Sequence, residues 1–276
     1  MSADPRPVRP WRAIRQRLLT LLPILRQAGV DPFRSWTFLR GFPGFLRDLR
    51  DFGHLDRELG HPLLAGRITP VIGDNGDSAG VASGHYFHQD LLVAQRIFEL
   101  KPRRHIDVGS RIDGFVAHVA SFRPIEVVDI RPLGAEIPNV TFRQADLMCA
   151  PGDLVGSTDS LSSLHAIEHF GLGRYGDPLN PQGHVRAIES LAWILEQGGL
   201  LHASFPIGPT RLEFNAQRVF SLEVALHLFS PFFRLERFSF VRDDGTLSAN
   251  VSVTEELIRT NAGCNYGCGI FELRRV

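Results

Sequence analysis

The stretch SLHAIEHFGLGRYGDP, at residues 163–178, concentrates side chains that can transfer a proton. Histidine titrates near neutral pH, which suits it to remove a proton from a reacting hydroxyl group. We predict His169 as the first candidate for such a base and His165 as the second, with Glu168 orienting either ring. The alternative for both histidines is a structural role, in which the ring anchors a turn through backbone hydrogen bonds.

The same residues also fit the His-x-x-Glu-His pattern of the inverzincin metalloproteases, in which two histidines bind zinc and the glutamate activates water. That pattern requires a helix, whereas the residues that lead into it, SLSSLHAI, are typical of a strand. The context therefore argues against a protease.

Two segments carry candidates for holding a substrate. Arg174 and Tyr175 follow the histidines, while Arg211 and Asn215 lie in SFPIGPTRLEFNAQRVFS, where the prolines predict a stiff loop. Guanidinium and phenol groups suit an anionic or sugar ligand. The alternative is that these residues only fix their loops or face solvent.

Metal-ligand residues are present, but not in a complete pattern. His85, His88 and Asp90 are close in sequence, and two histidines three positions apart share a helical face. Helix capping and packing explain them more simply, so we predict no metal site. The chain has three cysteines, an odd and sparse set that indicates a reducing compartment, and CNYGC has no second pair to complete a structural zinc site.

Strand-like and helix-like segments alternate from residue 105 to the end of the chain. This pattern predicts a mostly parallel sheet of seven strands with helices on both faces, and in such sheets ligands bind at the carboxyl ends of the strands. The predicted strands are HIDVGS, IEVVDI, VTFRQADL, SLSSLHAI, GLLHASFPIG, RLERFSFV and GIFELRRV. A helix is predicted over YFHQDLLVAQRIFELKP, and another from the Asn180-Pro181 cap to Gly198-Gly199.

The first glycine turn distinguishes between two nucleotide cofactors. A dinucleotide site needs Gly-x-Gly-x-x-Gly, so that a helix N-terminus approaches the pyrophosphate. The turn here, GSRIDG, has Gly109 and Gly114 but Ser110 and Arg111 between them. The sequence therefore lacks the glycine that would admit a pyrophosphate.

DVGSRIDGF, VVDI, QADL and the helix before EQGGLL together resemble the class I S-adenosylmethionine-dependent methyltransferases over residues 85–276. The resemblance implies a Rossmann-like fold and S-adenosylmethionine as the cofactor. It implies contacts with the ribose from Asp129 and with the adenine amino group from Asp146, while Glu168 either orients a histidine or binds the cofactor amino group. The full set of implied cofactor contacts is Asp107, Gly109, Ser110, Gly114, Asp129, Ile130, Asp146, Leu147 and His165.

GSRIDGFVAH, VVDIRPL, SLHAIEHFGLGRYGDPLNPQG and FNAQRVFS resemble more closely a methyltransferase-like family of unknown function from bacteria and some eukaryotes. Its bacterial members are tied to surface-glycan or secondary-metabolite pathways. The resemblance implies methyl transfer, and we expect the acceptor to be a hydroxyl of a small molecule or glycan.

Two other functions remain as alternatives. One is a cofactor-binding scaffold of a biosynthetic complex, without turnover. The other is a nicotinamide-dependent enzyme acting on nucleotide sugars, which would carry a Tyr-x-x-x-Lys pair. The chain has one lysine, Lys101, and no tyrosine at that spacing.

The N-terminal region differs in charge from the rest. Residues 1–50 carry ten arginines against three aspartates, although the whole chain has a formal net charge of zero, which does not indicate a nucleic-acid partner. An amphipathic helix is predicted over residues 11–29. It either packs on the main domain or contacts an anionic membrane surface.

We divide the chain into a helical appendage, residues 1–75, and a methyltransferase domain, residues 76–276, with a boundary in the loop at 72–84. The longest apolar run is too short to span a bilayer, so we expect a cytoplasmic protein. The sequence gives no expectation of the oligomeric state.

Overall fold

A computed structural model describes residues 25–26, 29–58, 68–72, 80–149 and 152–276. The chain divides into two compact units, Met1–Val81 and Ala82–Val276. Most of the amphipathic helix predicted over residues 11–29 lies outside the described residues. Among the residues that are described, no helix is long and apolar enough to cross a membrane.

The first unit contains one long described helix, α1 (Pro32–Glu58), which continues through Pro43. It begins at Asp31, whose Oδ1 accepts hydrogen bonds from the backbone N–H groups of Phe33 (3.0 Å) and Arg34 (3.2 Å). This side chain satisfies two of the N–H groups that a helix start leaves without intrahelical partners.

The second unit is built on an eight-stranded sheet in the order β3-β2-β1-β4-β5-β10-β8-β9. Strands β1 to β5 run parallel in the order 3-2-1-4-5, which begins the Rossmann order. Strand β10 lies antiparallel between β5 and β8. The strands are β1 (His105–Val108), β2 (Ile125–Asp129), β3 (Val140–Gln144), β4 (Thr158–Leu164), β5 (Leu195–Ile207), β8 (Phe233–Val241), β9 (Leu247–Ser248) and β10 (Gly267–Arg275).

All seven predicted strands are present, and β9 adds a short eighth at the edge. The stiff loop predicted after the fifth strand instead contains a hairpin of β6 (Arg211–Glu213) and β7 (Gln217–Val219), whereas β5 ends at Ile207, one residue before the end of the predicted strand GLLHASFPIG. The prediction of a loop was wrong there because each strand of the hairpin is only three residues long. An alternation of apolar and polar residues cannot be recognised over so short a segment.

Two apolar clusters cover the two faces of the sheet. On one face α2 (His85–Leu100), a π-helical turn (Ile112–Val116) and α3 (Ala117–Ala120) pack through residues such as Ile97 and Phe115. On the other face α4 (Gly183–Ile194) and α5 (Leu222–Phe229) pack through residues such as Leu191. A last short helix, α6 (Glu255–Arg259), precedes β10. The predicted mostly parallel sheet with helices on both faces is confirmed.

Helix α4 begins later and ends earlier than predicted. It starts at Gly183, two residues after the predicted first-turn proline, because Asn180 closes a turn: its Oδ1 accepts from Gln182 N (2.9 Å) and its carbonyl from Gly183 N (2.9 Å). It ends at Ile194 rather than at Gly198-Gly199, since Leu195 already pairs with Thr158 of β4.

Phe205 is at the centre of the aromatic part of the core. It is fully buried, and its ring centroid lies 5.1 Å from Phe220, 5.8 Å from Phe229 and 5.1 Å from Phe271. We expect Phe205→Ala to lower the free energy of unfolding by about 3–5 kcal/mol, because it removes a buried ring from a packed cluster. Urea denaturation monitored by circular dichroism measures this change. The half-exposed Phe87→Ala is the control, with an expected loss below about 1 kcal/mol, and equal losses would contradict this description of the core.

Candidate active site

A cavity opens at the carboxyl ends of β1 to β4. This is the edge of a parallel sheet at which strand ends and the loops that follow them converge. Its walls are formed by Tyr86, Val108, Gly109, Arg111, Val128, Asp129, Ile130, Arg131, Ala145, Asp146, Leu147, His165, Ala166, His169, Phe170, Tyr175 and Asp177. The structure thus brings together most of the predicted cofactor contacts around one space.

The glycine turn after β1 is held from behind by a buried carboxylate. Asp107 accepts hydrogen bonds from Ser110 N (3.0 Å), Ser110 Oγ (2.6 Å) and Ser162 Oγ (2.5 Å). Burial raises the pKa of Asp107 to about 6, although these hydrogen bonds act to lower it. Asp107 and Ser110 do not line the cavity; they fix the turn that does.

Ser110 also explains why the turn lacks its middle glycine. Its Oγ accepts a hydrogen bond from Leu164 N (3.0 Å) at the end of β4, and so connects the turn after β1 to the strand that carries His165. Gly109 keeps the conformation that favours glycine, with a φ of 72°, and lines the cavity. Gly114 lies below the cavity, where a Cβ would come within 2.4 Å of the Asp90 carboxylate.

Two carboxylates face the cavity from neighbouring strands. Asp129, at the end of β2, is paired with Arg131, which donates from Nε to Oδ1 (3.0 Å) and from Nη2 to Oδ2 (2.7 Å). The Arg131 guanidinium lies 4.3 Å from the Tyr175 ring centroid. Asp146, after β3, accepts from Met148 N through Oδ1 (2.9 Å), which leaves Oδ2 for a donor in the cavity. Ile130 and Leu147 add apolar surface beside them.

The histidine motif follows β4, with His165 at a φ of 51° and Ile167–His169 in a single 3-10 turn. Glu168 is fully buried, and its Oε1 lies 2.8 Å from His165 Nδ1 and 3.8 Å from His169 Nε2. Burial lowers the pKa of His165, but the neighbouring Cys268 and Glu168 raise it, and the net pKa lies well above the usual value. Glu168 is thus within hydrogen-bond distance of His165 and not of His169.

His169 is held through its other nitrogen. Its Nδ1 lies 2.8 Å from the Ala216 carbonyl oxygen, which requires a proton on Nδ1 and leaves the Nε2 lone pair free in the neutral ring. Arg174 Nη1 donates to the same carbonyl (2.8 Å). Burial lowers the pKa of His169, and the Arg174 charge acts in the same direction. The neutral ring is therefore favoured, which is the form that accepts a proton.

A second cavity adjoins the first. The two cavities share four lining residues, Tyr86, His165, His169 and Tyr175. The remaining lining of the second cavity is polar and comes from α2, the β6–β7 hairpin, and the β8–β9 and α6–β10 connections: Gly84, His85, Arg174, Gln217, Arg242, Asp243, Gly245 and Tyr266.

The predicted substrate contacts divide between two places. Arg174 and Tyr175 line the second cavity, in a loop that Asp177 holds by accepting from Gly171 N (2.7 Å). Arg211 instead pairs with Glu213 (2.8 Å) and lines an apolar groove, and Asn215 is exposed at the tip of the hairpin.

Several lining residues were not predicted. Arg131 could have been predicted from the sequence, because it is a basic residue two positions after the acid that ends the strand in VVDIRP. Gln217 and Tyr266 had none, because they reach the second cavity from loops that are distant in sequence. His85 and His88 are not brought together: the His85 ring stacks on His165 at 5.2 Å, whereas His88 meets Phe87.

The role of Ser110 in holding the turn can be tested by stability. We expect Ser110→Ala to lower the free energy of unfolding by about 1–3 kcal/mol, because it leaves the buried Leu164 N–H unpaired and removes a donor from Asp107. Chemical denaturation measures the change. Ser121→Ala, which removes an exposed hydroxyl that donates to His118 O, is the matched control, expected within about 0.5 kcal/mol of the parent. A loss no larger than the control's would mean that the Ser110 hydroxyl does not hold the turn.

Three comparisons with known proteins were made: with protein families, with curated sequences and with solved structures. A family model described as a Caenorhabditis protein of unknown function, DUF268, matches residues 141–260, less than half of the chain. No curated protein sequence matches. Among solved structures, the N-methyltransferase NodS from Bradyrhizobium japonicum WM9, in complex with S-adenosylhomocysteine, is 11% identical and has a TM-score of 0.47, covering 70% of this chain and 88% of its own.

Two further structures are similar. The Burkholderia thailandensis 1,6-didemethyltoxoflavin-N1-methyltransferase is 16% identical with a TM-score of 0.47, covering 78% of this chain and 98% of its own. The cyclase SpnF is 14% identical with a TM-score of 0.49, covering 72% and 89%. The parallel sheet itself, with β10 set antiparallel between β5 and β8, confirms the Rossmann-like class I methyltransferase fold that the motifs predict.

Proposed function

We propose that this protein uses S-adenosylmethionine to methylate a hydroxyl of a small molecule or glycan in a biosynthetic pathway. The observation that carries the proposal is the wall shared by the two cavities, formed by Tyr86, His165, His169 and Tyr175. Methyl transfer is an in-line displacement, so donor and acceptor must meet across one short gap with their reacting atoms aligned. Two adjoining cavities at the carboxyl edge of the sheet supply that arrangement.

The first cavity suits the cofactor. The Asp129 carboxylate is placed to accept from the ribose hydroxyls, and Asp146 Oδ2 from the adenine amino group, with Ile130 and Leu147 against the apolar faces of the base. Arg111 lines the cavity beside Gly109 and gives the methionine carboxylate a cation. The cavity is polar where the cofactor is polar and apolar beside the base.

The reaction assigned to this site balances without a further reagent. The acceptor oxygen forms a bond to the methyl carbon, the carbon–sulfur bond breaks, and its electron pair returns to sulfur, which becomes a neutral thioether. The hydroxyl proton goes to His169 Nε2, which is free because Nδ1 is bound to the Ala216 carbonyl. His165 is the less suitable base, since its Nδ1 is occupied by Glu168.

The second cavity favours a polar acceptor. Two guanidinium groups, of Arg174 and Arg242, and the side chains of Gln217 and Tyr266 contribute to its wall. Such groups bind hydroxyl, phosphate or carboxylate oxygens, which accords with a sugar or an anionic small molecule as the acceptor.

Cofactor binding depends on the Asp129 carboxylate in this proposal. Isothermal calorimetry with S-adenosylmethionine and S-adenosylhomocysteine should detect binding to the parent protein and at least about tenfold weaker binding to Asp129→Asn, because hydrogen bonds to a charged acceptor are lost. NAD should not bind, since Ser110 and Arg111 stand where a pyrophosphate needs glycine. Binding of NAD without either adenosyl compound would contradict the proposal.

A second variant, Arg131→Ala, should strengthen cofactor binding, whereas Asp129→Asn weakens it. Arg131 occupies three of the Asp129 acceptor positions, through its backbone N, Nε and Nη2, and therefore competes with the ribose. Arg131→Ala removes the two side-chain bonds and leaves the backbone one, and it should tighten binding by up to about fivefold, the value of a partly exposed ion pair. Weakened binding would mean that Arg131 contacts the cofactor instead of competing with it.

The choice of His169 as the base predicts its ionisation. Since burial lowers its pKa, the imidazole should titrate below the ordinary value of 6.5 and be neutral at pH 7. NMR titration of the histidine ring protons measures this, with His169→Gln used to assign the resonance. A pKa above 7 would leave the ring protonated under working conditions and contradict its role as the base.

A further inference from the structure

Three side chains from distant parts of the sequence converge behind the wall between the cavities. His85 begins α2, His165 follows β4, and Cys268 lies in β10. One imidazole nitrogen from each histidine and the Cys268 Sγ all lie within 4.8 Å of one another. Among the residues that the structure describes, this is the group whose ligand atoms are close enough to hold a metal ion.

The His165 ring shows why the group is more than a packing contact. Its side chain is 5% exposed, and its Nε2 is buried without a hydrogen-bond partner. A buried polar atom without a partner is unfavourable unless a ligand satisfies it. One imidazole nitrogen of His165 lies within 4.8 Å of a ligand atom of His85 and of the Cys268 Sγ.

Glu168 supports the same conclusion independently. Its Oε1 lies 2.8 Å from His165 Nδ1, so Nδ1 donates to the carboxylate and Nε2 is the ring nitrogen that remains for an ion, which would replace any proton there. Histidines that bind metals almost always donate the other ring N–H to a carboxylate or carbonyl in this way, which orients the ring. The orienting carboxylate is thus in place before any ion binds.

The other two ligands are also held. The His85 ring lies between His165, at 5.2 Å, and Tyr266, at 5.5 Å, so its orientation is limited by stacking on both sides. The Cys268 thiol is fully buried and lies 3.6 Å from Gln89 Oε1, whose position is fixed by the hydroxyl of Ser204 (2.6 Å). Binding would draw these ligand atoms, now up to 4.8 Å apart, toward one ion at the ~2.0–2.3 Å bond lengths of zinc.

We propose that His85, His165 and Cys268 bind one divalent transition-metal ion of the zinc class, with an open coordination position toward the second cavity. Two imidazoles and a thiolate select zinc-like ions over magnesium or calcium, which prefer oxygen ligands. Three protein ligands with a free fourth position are typical of catalytic zinc. His85 and His165 both line the second cavity, while Cys268 lies behind them.

The open position gives the ion a function in the same site. An acceptor hydroxyl bound there would lose its proton more readily, because a bound divalent ion lowers the pKa of coordinated oxygen. This role rests on the proposed methyl transfer, whereas metal binding itself does not.

The test is a titration of the full-length, chelator-treated protein with Co²⁺, followed by absorption spectroscopy. We expect one equivalent to bind with a thiolate-to-cobalt charge-transfer band in the near ultraviolet. Cys268→Ser should abolish the band, and His85→Gln should weaken Co²⁺ binding by at least about 100-fold. Glu168→Gln, which leaves all three ligands intact, should weaken it by about 10–100-fold.

Two controls are matched by residue type. Cys264→Ser changes the other buried cysteine of the same region, and His88→Gln changes the other histidine of the first turn of α2; both should bind Co²⁺ as the parent does. Circular dichroism of each variant establishes that it is folded. No Co²⁺ binding by the parent, or a charge-transfer band that persists in Cys268→Ser, overturns the inference.

Calorimetry with S-adenosylmethionine on the same samples separates the two proposals. A charge-transfer band together with an absence of cofactor binding would support the metal site and contradict the methyltransferase. Cofactor binding without the band would do the reverse.

Discussion

The proposed site depends on the buried carboxylate of Glu168, which lies beside both neighbouring histidines. It is fully buried, it touches His165 Nδ1 at 2.8 Å, and it lies 3.8 Å from His169 Nε2. A buried carboxylate is stabilised by nearby donors, and Oε1 has the His165 ring as its partner, while Oε2 is buried without a hydrogen bond. In the proposed metal site, His165 would bind the ion through Nε2. His169, held through Nδ1 by the Ala216 carbonyl, keeps its own Nε2 free for a proton. One turn of chain therefore carries two histidines with different roles in the proposed site.

A second buried acid, Asp107, holds the turn that follows β1. It accepts three hydrogen bonds from Ser110 and Ser162, and Ser110 Oγ accepts from Leu164 N. The cofactor turn and the start of the histidine motif are thus parts of one hydrogen-bonded unit. The cavity beside this unit is lined by Gly109, Asp129 and Asp146 and not by the two supporting residues, Asp107 and Ser110. A serine therefore stands at the position of the middle glycine because its hydroxyl holds the turn in place.

The parts of the fold that local pattern determines could be predicted from the sequence. The seven strands have continuous or alternating apolar residues, and the strand-end acids Asp129 and Asp146 fall at the carboxyl edge that any parallel sheet directs toward a ligand. The start of α4 could not be predicted in the same way, since the Asn180 side chain closes a turn that the cap pattern does not distinguish from a helix start. The second cavity was equally inaccessible: Gln217, Arg242 and Tyr266 come from three separate connections. The group of His85, His165 and Cys268 has no characteristic spacing, and only the placement of β10 beside β5 brings the cysteine to the histidines.

The central claim is that a cofactor in the first cavity presents its sulfur to an acceptor across the wall of His169 and Tyr175. The most direct measurement is a crystal structure of the protein with S-adenosylhomocysteine. The proposal predicts the ribose at Asp129 in place of the Arg131 side chain, the adenine at Asp146, and the sulfur facing the second cavity beside His169. Adenine at the histidines, or a ligand bound outside the first cavity, would contradict it.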